Sequence, residues 1–108
     1  MIQKVREIIL CHHADSRYVK TIEEQVVWDA DKLDALGLIG LARCLLEEGY
    51  RGRSIEDAIE HLLRDIRDFG EKMHLNEMRE CARKRISEVL DVIKKLRDEL
   101  AGKIWHFK

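Results

Sequence analysis

Apolar residues recur along this chain at spacings of three and four, and nowhere do they alternate with polar ones over a strand's length. That periodicity gathers apolar side chains on single helix faces and predicts an all-α protein. Ile2, Val5, Ile9 and His12 share one face of a first helix over Ile2–His13, with His13 beside that face. The polar stretch Ala14–Lys20 reads as a loop. Thr21-Ile22-Glu23-Glu24 has the form of a capping box, in which Thr21 caps the first-turn amides and Glu24 reaches back. A second helix is expected from there to about Glu48. It would contain Gly37 and Gly40 as points where another helix approaches closely, and end on Gly49 as a C-terminal cap. Ser54 caps a third helix with the inner stripe Ile55, Ala58, Ile59, Leu62, Leu63 and Ile66, ending near Phe69-Gly70. A last helix starts close to Asn76, and Ala82, Ile86, Val89, Ile93, Leu96 and Leu100 give it a coiled-coil-like seam. The aromatic tail Lys103–Lys108 is expected to pack back on the domain or on a neighbouring subunit. The pattern adds up to four or five helices in one all-α domain spanning residues 1–108.

The second helix holds a contradiction. Val26 to Gly40 is almost wholly apolar, which suits a central helix, yet it carries Asp29, Asp31 and Asp34. Carboxylates in such a setting must be paired, protonated or bound to a cation, because an isolated buried charge is very costly. Asp31 and Asp34 are three residues apart and share a face, whereas Asp29 points elsewhere. Either these acids pair with basic residues such as Arg43, or they hold a metal.

Composition narrows the function classes. Of the 108 residues, 38% are charged and 45% hydrophobic, with a formal net charge of -1. That balance argues against nucleic acid as a partner, since such proteins present a basic face. No long charge-free apolar run indicates a transmembrane helix, and the first residues lack the form of a signal peptide. Cys11, Cys44 and Cys81 are widely spaced and form no C-x-x-C pair, so they read as reduced core thiols of a cytoplasmic protein. A single asparagine and two glutamines beside many charged residues resemble a thermophile's composition, although proline is absent.

Two groups of residues offer chemistry. One is the Asp31–Asp34 pair. The other is His12-His13, since imidazole with carboxylate is a ligand set for Mn, Fe, Co, Ni or Zn. Adjacent histidines diverge by about 100° on a helix, so both meet one ion only where the helix is ending. His61, His74 and His106 are isolated and suggest no role. No P-loop, dinucleotide fingerprint or nucleophile elbow is present.

Beyond these generic features, Ile9-Leu10-Cys11-His12-His13, then Thr21-Ile22-Glu23, then the whole run from Val26-Val27-Trp28-Asp29-Ala30-Asp31 to Leu41-Ala42-Arg43 resemble the HD-superfamily phosphohydrolases. The similarity is greatest to the small stand-alone HD hydrolases, whose second half carries a DADRLDAIGAIGIAR stretch. It continues through Phe69-Gly70-Glu71-Lys72-Met73 and Ala82-Arg83-Lys84-Arg85 and so covers nearly the whole chain. The resemblance implies an HD-like helical bundle and a metal-dependent hydrolase of a nucleotide or another phosphate ester, using a divalent metal (Mn, Ni, Co, Fe or Mg). It implies Asp31 as the family's later metal-binding aspartate, His12 and His13 as candidate further metal ligands, and Asp34 and Arg43 as candidate catalytic residues. Arg43 matches an arginine suited to a phosphate or a carboxylate.

The departure from the family pattern is equally specific. The first histidine and the His-Asp doublet are missing, and no His-Asp dipeptide occurs in these 108 residues. The resemblance therefore implies a bundle lacking its N-terminal helices, incomplete and inactive as this chain alone. Either another segment or chain supplies the missing ligands, or the chain is a non-catalytic remnant. Such a remnant would self-associate, as a homodimer covering its exposed apolar surface, or bind nucleotides in a regulatory role.

Overall fold

A computed structural model describes residues 20–102, and these form four helices with no strand among them. We label them α1 (Ile22–Leu36), α2 (Leu38–Tyr50), α3 (Ile55–Phe69) and α4 (Asn76–Leu100). The expected helix over Ile2–His13, with Cys11, His12 and His13, lies outside the described residues, as does the aromatic tail.

Local chemistry sets most helix ends where the sequence places them. Thr21 Oγ1 accepts the Glu24 amide at 3.1 Å, and Glu24 Oε2 accepts the Thr21 amide at 3.4 Å, completing the capping box of α1; the same oxygen also accepts the Lys20 amide at 2.9 Å. Ser54 and Asp57 repeat the device at α3, each side chain accepting the other's backbone amide at 3.1 Å. Those bonds to Ser54 favour the ionised carboxylate and lower the Asp57 pKa from its ordinary value.

The long second helix is instead two helices. Gly37 sits in an extended conformation (φ −104°, ψ −155°) and serves both as C-cap of α1 and as N-cap of α2. The apolar pattern runs straight through this corner, so periodicity does not reveal it. Gly40 makes the corner tight: a Cβ there would stand 2.0 Å from the Ala35 carbonyl oxygen. The close approach that Gly40 permits is thus to the end of its own preceding helix. Over Gly37, a Cβ would come 3.2 Å from Arg85 Cδ, a side chain of α4. Nor is Gly49 the cap of α2: it lies inside the helix, Arg51 is the C-cap, and the left-handed turn falls on Gly52 (φ 74°).

Two packed clusters fill the interior. Trp28, Leu33 and Leu36 of α1 meet Met73 and Ala82, while Leu41 and Cys44 of α2 meet Ala58, Ile59 and Leu62 of α3 and Val89 and Ile93 of α4. Most of the expected stripes face inward. Ile55 and Leu100, at the outer ends of theirs, are 42% and 51% exposed. Cys81 is exposed and not a core thiol.

The corner makes a direct prediction for urea denaturation. Gly40→Ala must displace backbone and should cost about 1–3 kcal/mol or more. Gly49→Ala, with open space around it in a helix, should gain about 0.5–1 kcal/mol. Equal stability of the two variants would contradict the corner.

Candidate functional site

Asp29, the acid that the sequence pattern sets apart, is the one that is fully buried. Its carboxylate accepts the His74 amide at 2.9 and 3.0 Å, the Leu75 amide at 2.9 Å, and His74 Nδ1 at 2.8 Å. Leu75 is the N-cap of α4 and provides no side-chain cap, so Asp29 caps α4 from another helix. With a carboxylate opposite, Nδ1 is the protonated ring nitrogen of His74. The imidazole also stands edge-on to the buried Trp28, their centroids 5.1 Å apart. His74, which shows no role in the sequence, is therefore part of the central polar contact. Its partner is 45 residues away, too far for a sequence pattern to pair them.

The opposite end of α1 is served in return. Arg85 Nη1 of α4 donates to the Leu33 carbonyl at 3.4 Å and to Asp34 Oδ1 at 3.2 Å, at a helix end with no basic residue of its own. Asp34, a candidate catalytic residue, is thus half-exposed and engaged by Arg85, not by Arg43. Asp31 lies on the exposed side of α1 with Lys32 Nζ 3.5 Å away, and the Lys32 ammonium also sits 4.8 Å from the Phe69 ring centroid. Arg43 is exposed on α2 and makes no ion pair or hydrogen bond among the described residues. Asp31 and Arg43 are likewise joined by no bond among them. Of the residues expected to hold a metal, only Asp31 is described, and one carboxylate does not hold a divalent ion.

A second polar group lies between α2 and α3. Cys44, His61 and Asp65 each present a ligand atom within 4.8 Å of the others. His61 Nε2 is 3.7 Å from Asp65 Oδ2, and Nδ1 is 3.4 Å from Glu48 Oε1 without the alignment of a hydrogen bond, leaving that buried nitrogen unsatisfied. Glu48 is itself buried and holds Arg53 Nη1 at 3.2 Å. Burial, with help from Asp65, Glu47 and Glu48, pushes the Cys44 thiol up to about 11, so at neutral pH it is protonated. Burial likewise raises the Asp65 pKa, against the opposing pull of His61. The signal in the sequence is two i,i+4 pairs, Cys44 with Glu48 and His61 with Asp65, facing across a helix hairpin.

Comparison by sequence and comparison by structure find the same similar protein. No protein-family model matches the chain. YpgQ, an uncharacterised protein of Bacillus subtilis (strain 168), is 29% identical over 86 residues, which is 76% of this chain and 42% of YpgQ. The crystal structure of Bacillus subtilis YpgQ in complex with ADP is similar with a TM-score of 0.66 at 31% identity, covering 73% of this chain and 44% of the other. The chain therefore spans less than half the length of the relative it matches. Among the described residues no helix is long and apolar enough to cross a membrane.

Substitution separates the two anchored acids. Asp29→Ala strands three donors at a buried helix start and should cost about 2–4 kcal/mol in urea or thermal unfolding. Asp34→Ala removes a half-exposed ion pair and should cost below about 1 kcal/mol. Equal losses would mean that Asp29 is not the cap of α4.

Proposed function

We propose that this chain is a nucleotide-binding part of an HD-type, metal-dependent phosphohydrolase and does not hydrolyse phosphate esters by itself. The observation that carries the reading is the likeness, at 31% identity and a TM-score of 0.66, to a protein whose structure contains ADP. The motif resemblance along α1 and α2 points the same way. The exposure of Asp31 and the guanidinium of Arg43, unpaired among the described residues, suit a cation and a phosphate respectively. In this reading Asp31 contributes one carboxylate to a divalent metal, His12 and His13 stand as further candidates, and the remaining ligands come from another segment or another chain. A metal bound there would polarise a phosphate and activate water. Asp34, held by Arg85, fixes the end of α1 and thereby the orientation of the helix that carries Asp31.

Isothermal titration of the chain with ADP, with and without Mn(II), tests this. ADP should bind, and Arg43→Ala should weaken binding by about 1.5–3 kcal/mol, the worth of a charge-assisted contact to phosphate. Absence of ADP binding would overturn the nucleotide reading. Phosphatase activity of the lone chain with Mn, Ni or Co would instead overturn its incompleteness.

One observation favours a second reading, a self-associating module. Ile22, Val26 and Val27 on α1 and Leu38 and Ile39 just after the corner are large apolar residues exposed by 36–57%. A homodimer would cover such a face. Sedimentation should then show dimerisation that rises with concentration over the micromolar range, and a stable monomer throughout would contradict it.

A further inference from the structure

The cluster between α2 and α3 takes no part in the proposed phosphohydrolase site, and only Arg43, at its rim, is shared with it. Its composition is nevertheless that of a metal centre. A thiol, an imidazole and a carboxylate converge from two helices, at the mouth of a hollow of about 120 Å³ that Ala35, Gly40, Arg43 and Glu47 complete. We propose that Cys44, His61 and Asp65 form a binding site for a divalent transition metal of the zinc or cobalt type.

Four features support the assignment. Sulfur, nitrogen and oxygen together match Zn(II) and Co(II), whereas Mg(II) and Ca(II) prefer oxygen alone. The separations are close to what the ion needs. Tetrahedral bonds of about 2.0–2.3 Å put ligand atoms about 3.3–3.8 Å apart, so the widest pair, within 4.8 Å here, has about 1 Å to close. Side-chain rotation covers that.

The third feature is the imidazole's surroundings. Metal-bound histidines commonly give their second ring N–H to a carboxylate. The buried Glu48 carboxylate stands 3.4 Å from His61 Nδ1, while Nε2 faces Asp65. A slight turn of the ring would both satisfy the orphaned Nδ1 and aim Nε2 at the ion. Arg53, bound to the other Glu48 oxygen, fixes that carboxylate in place. The fourth feature is the open side. Three protein ligands leave one tetrahedral position free toward the hollow, where Arg43 gives it a preference for water or an anion.

Binding here exchanges a proton for the metal: the Cys44 S–H bond breaks, a sulfur–metal bond forms, and the proton leaves to solvent. No oxidant or reductant is involved. The ion would clamp α2 to α3 directly.

The test is a Co(II) titration of the full chain carrying Cys11→Ser and Cys81→Ser, stripped of metal and kept reduced, with far-ultraviolet circular dichroism confirming the fold of every variant. We expect the visible bands of tetrahedral Co(II) and a near-ultraviolet thiolate-to-metal charge-transfer band, saturating at about one ion per chain and bleached by Zn(II). Cys44→Ser should abolish the charge-transfer band, and His61→Gln, a substitution at a partly exposed position, should remove the tetrahedral spectrum. Glu48→Gln should weaken binding by about tenfold or more. Asp31→Ala should leave the spectrum unchanged, which separates this site from the phosphohydrolase reading. Absence of the charge-transfer band with Cys44 present, its survival in Cys44→Ser, or its loss in Asp31→Ala would overturn the proposal.

Discussion

The arrangement of helices depends on a carboxylate buried where no charge is stable alone. Asp29 sits inside α1, beside a fully buried Trp28, and its partners are the unpaired amides at the start of α4 and the His74 imidazole. An isolated ion there would be costly, and the helix start would be left with unsatisfied donors; each removes the other's penalty. Arg85 answers from α4 at the far end of α1 by donating to the last-turn carbonyl of Leu33. The two contacts together fix how far α4 slides along α1 and how it is rotated. Apolar packing supplies most of the driving force, but it would tolerate other registers.

The corner at Gly37 depends on that frame and determines what the other two helices present. Because the chain breaks at Gly37 and α2 starts in a new direction, Cys44 and Glu48 face α3 and meet His61 and Asp65. The same turn carries Arg43 to the rim of the hollow and leaves Leu38 and Ile39 exposed. A continuous helix through Gly37 would have aimed all of these elsewhere. The absence of a side chain at two glycines is thus connected to the chemistry that α2 and α3 present at the hollow Gly40 helps to line.

What could be read from the sequence was local. The capping boxes at Thr21 and Ser54 are complete within four residues, and the seam of α4 repeats over several turns, so both were visible and both stand in the structure. The corner was hidden because its apolar residues stay in helical phase on both sides, and Gly37 resembles a packing glycine as much as a break. Asp29 with His74, and Cys44 with His61 and Asp65, were hidden for a different reason. Each is a pairing across the fold, which periodicity does not encode. The apolar run with its three acids marks α1 in the sequence, and the family resemblance narrows it to Asp31, while the structural weight rests two residues earlier.

The proposed half-site is a surface acid and an arginine that has no ion pair or hydrogen bond among the described residues, on two helices that a buried carboxylate holds in place. The nucleotide proposed as its ligand rests on the likeness to YpgQ, whose crystal structure contains ADP. The most direct measurement is a map of backbone amide shifts by nuclear magnetic resonance as ADP and Mg(II) are added to the isotope-labelled chain. The account predicts saturable shifts concentrated in α1 and α2 around Asp31 and Arg43. Saturation with no shifts there, or with shifts confined to α3 and the far end of α4, would contradict it.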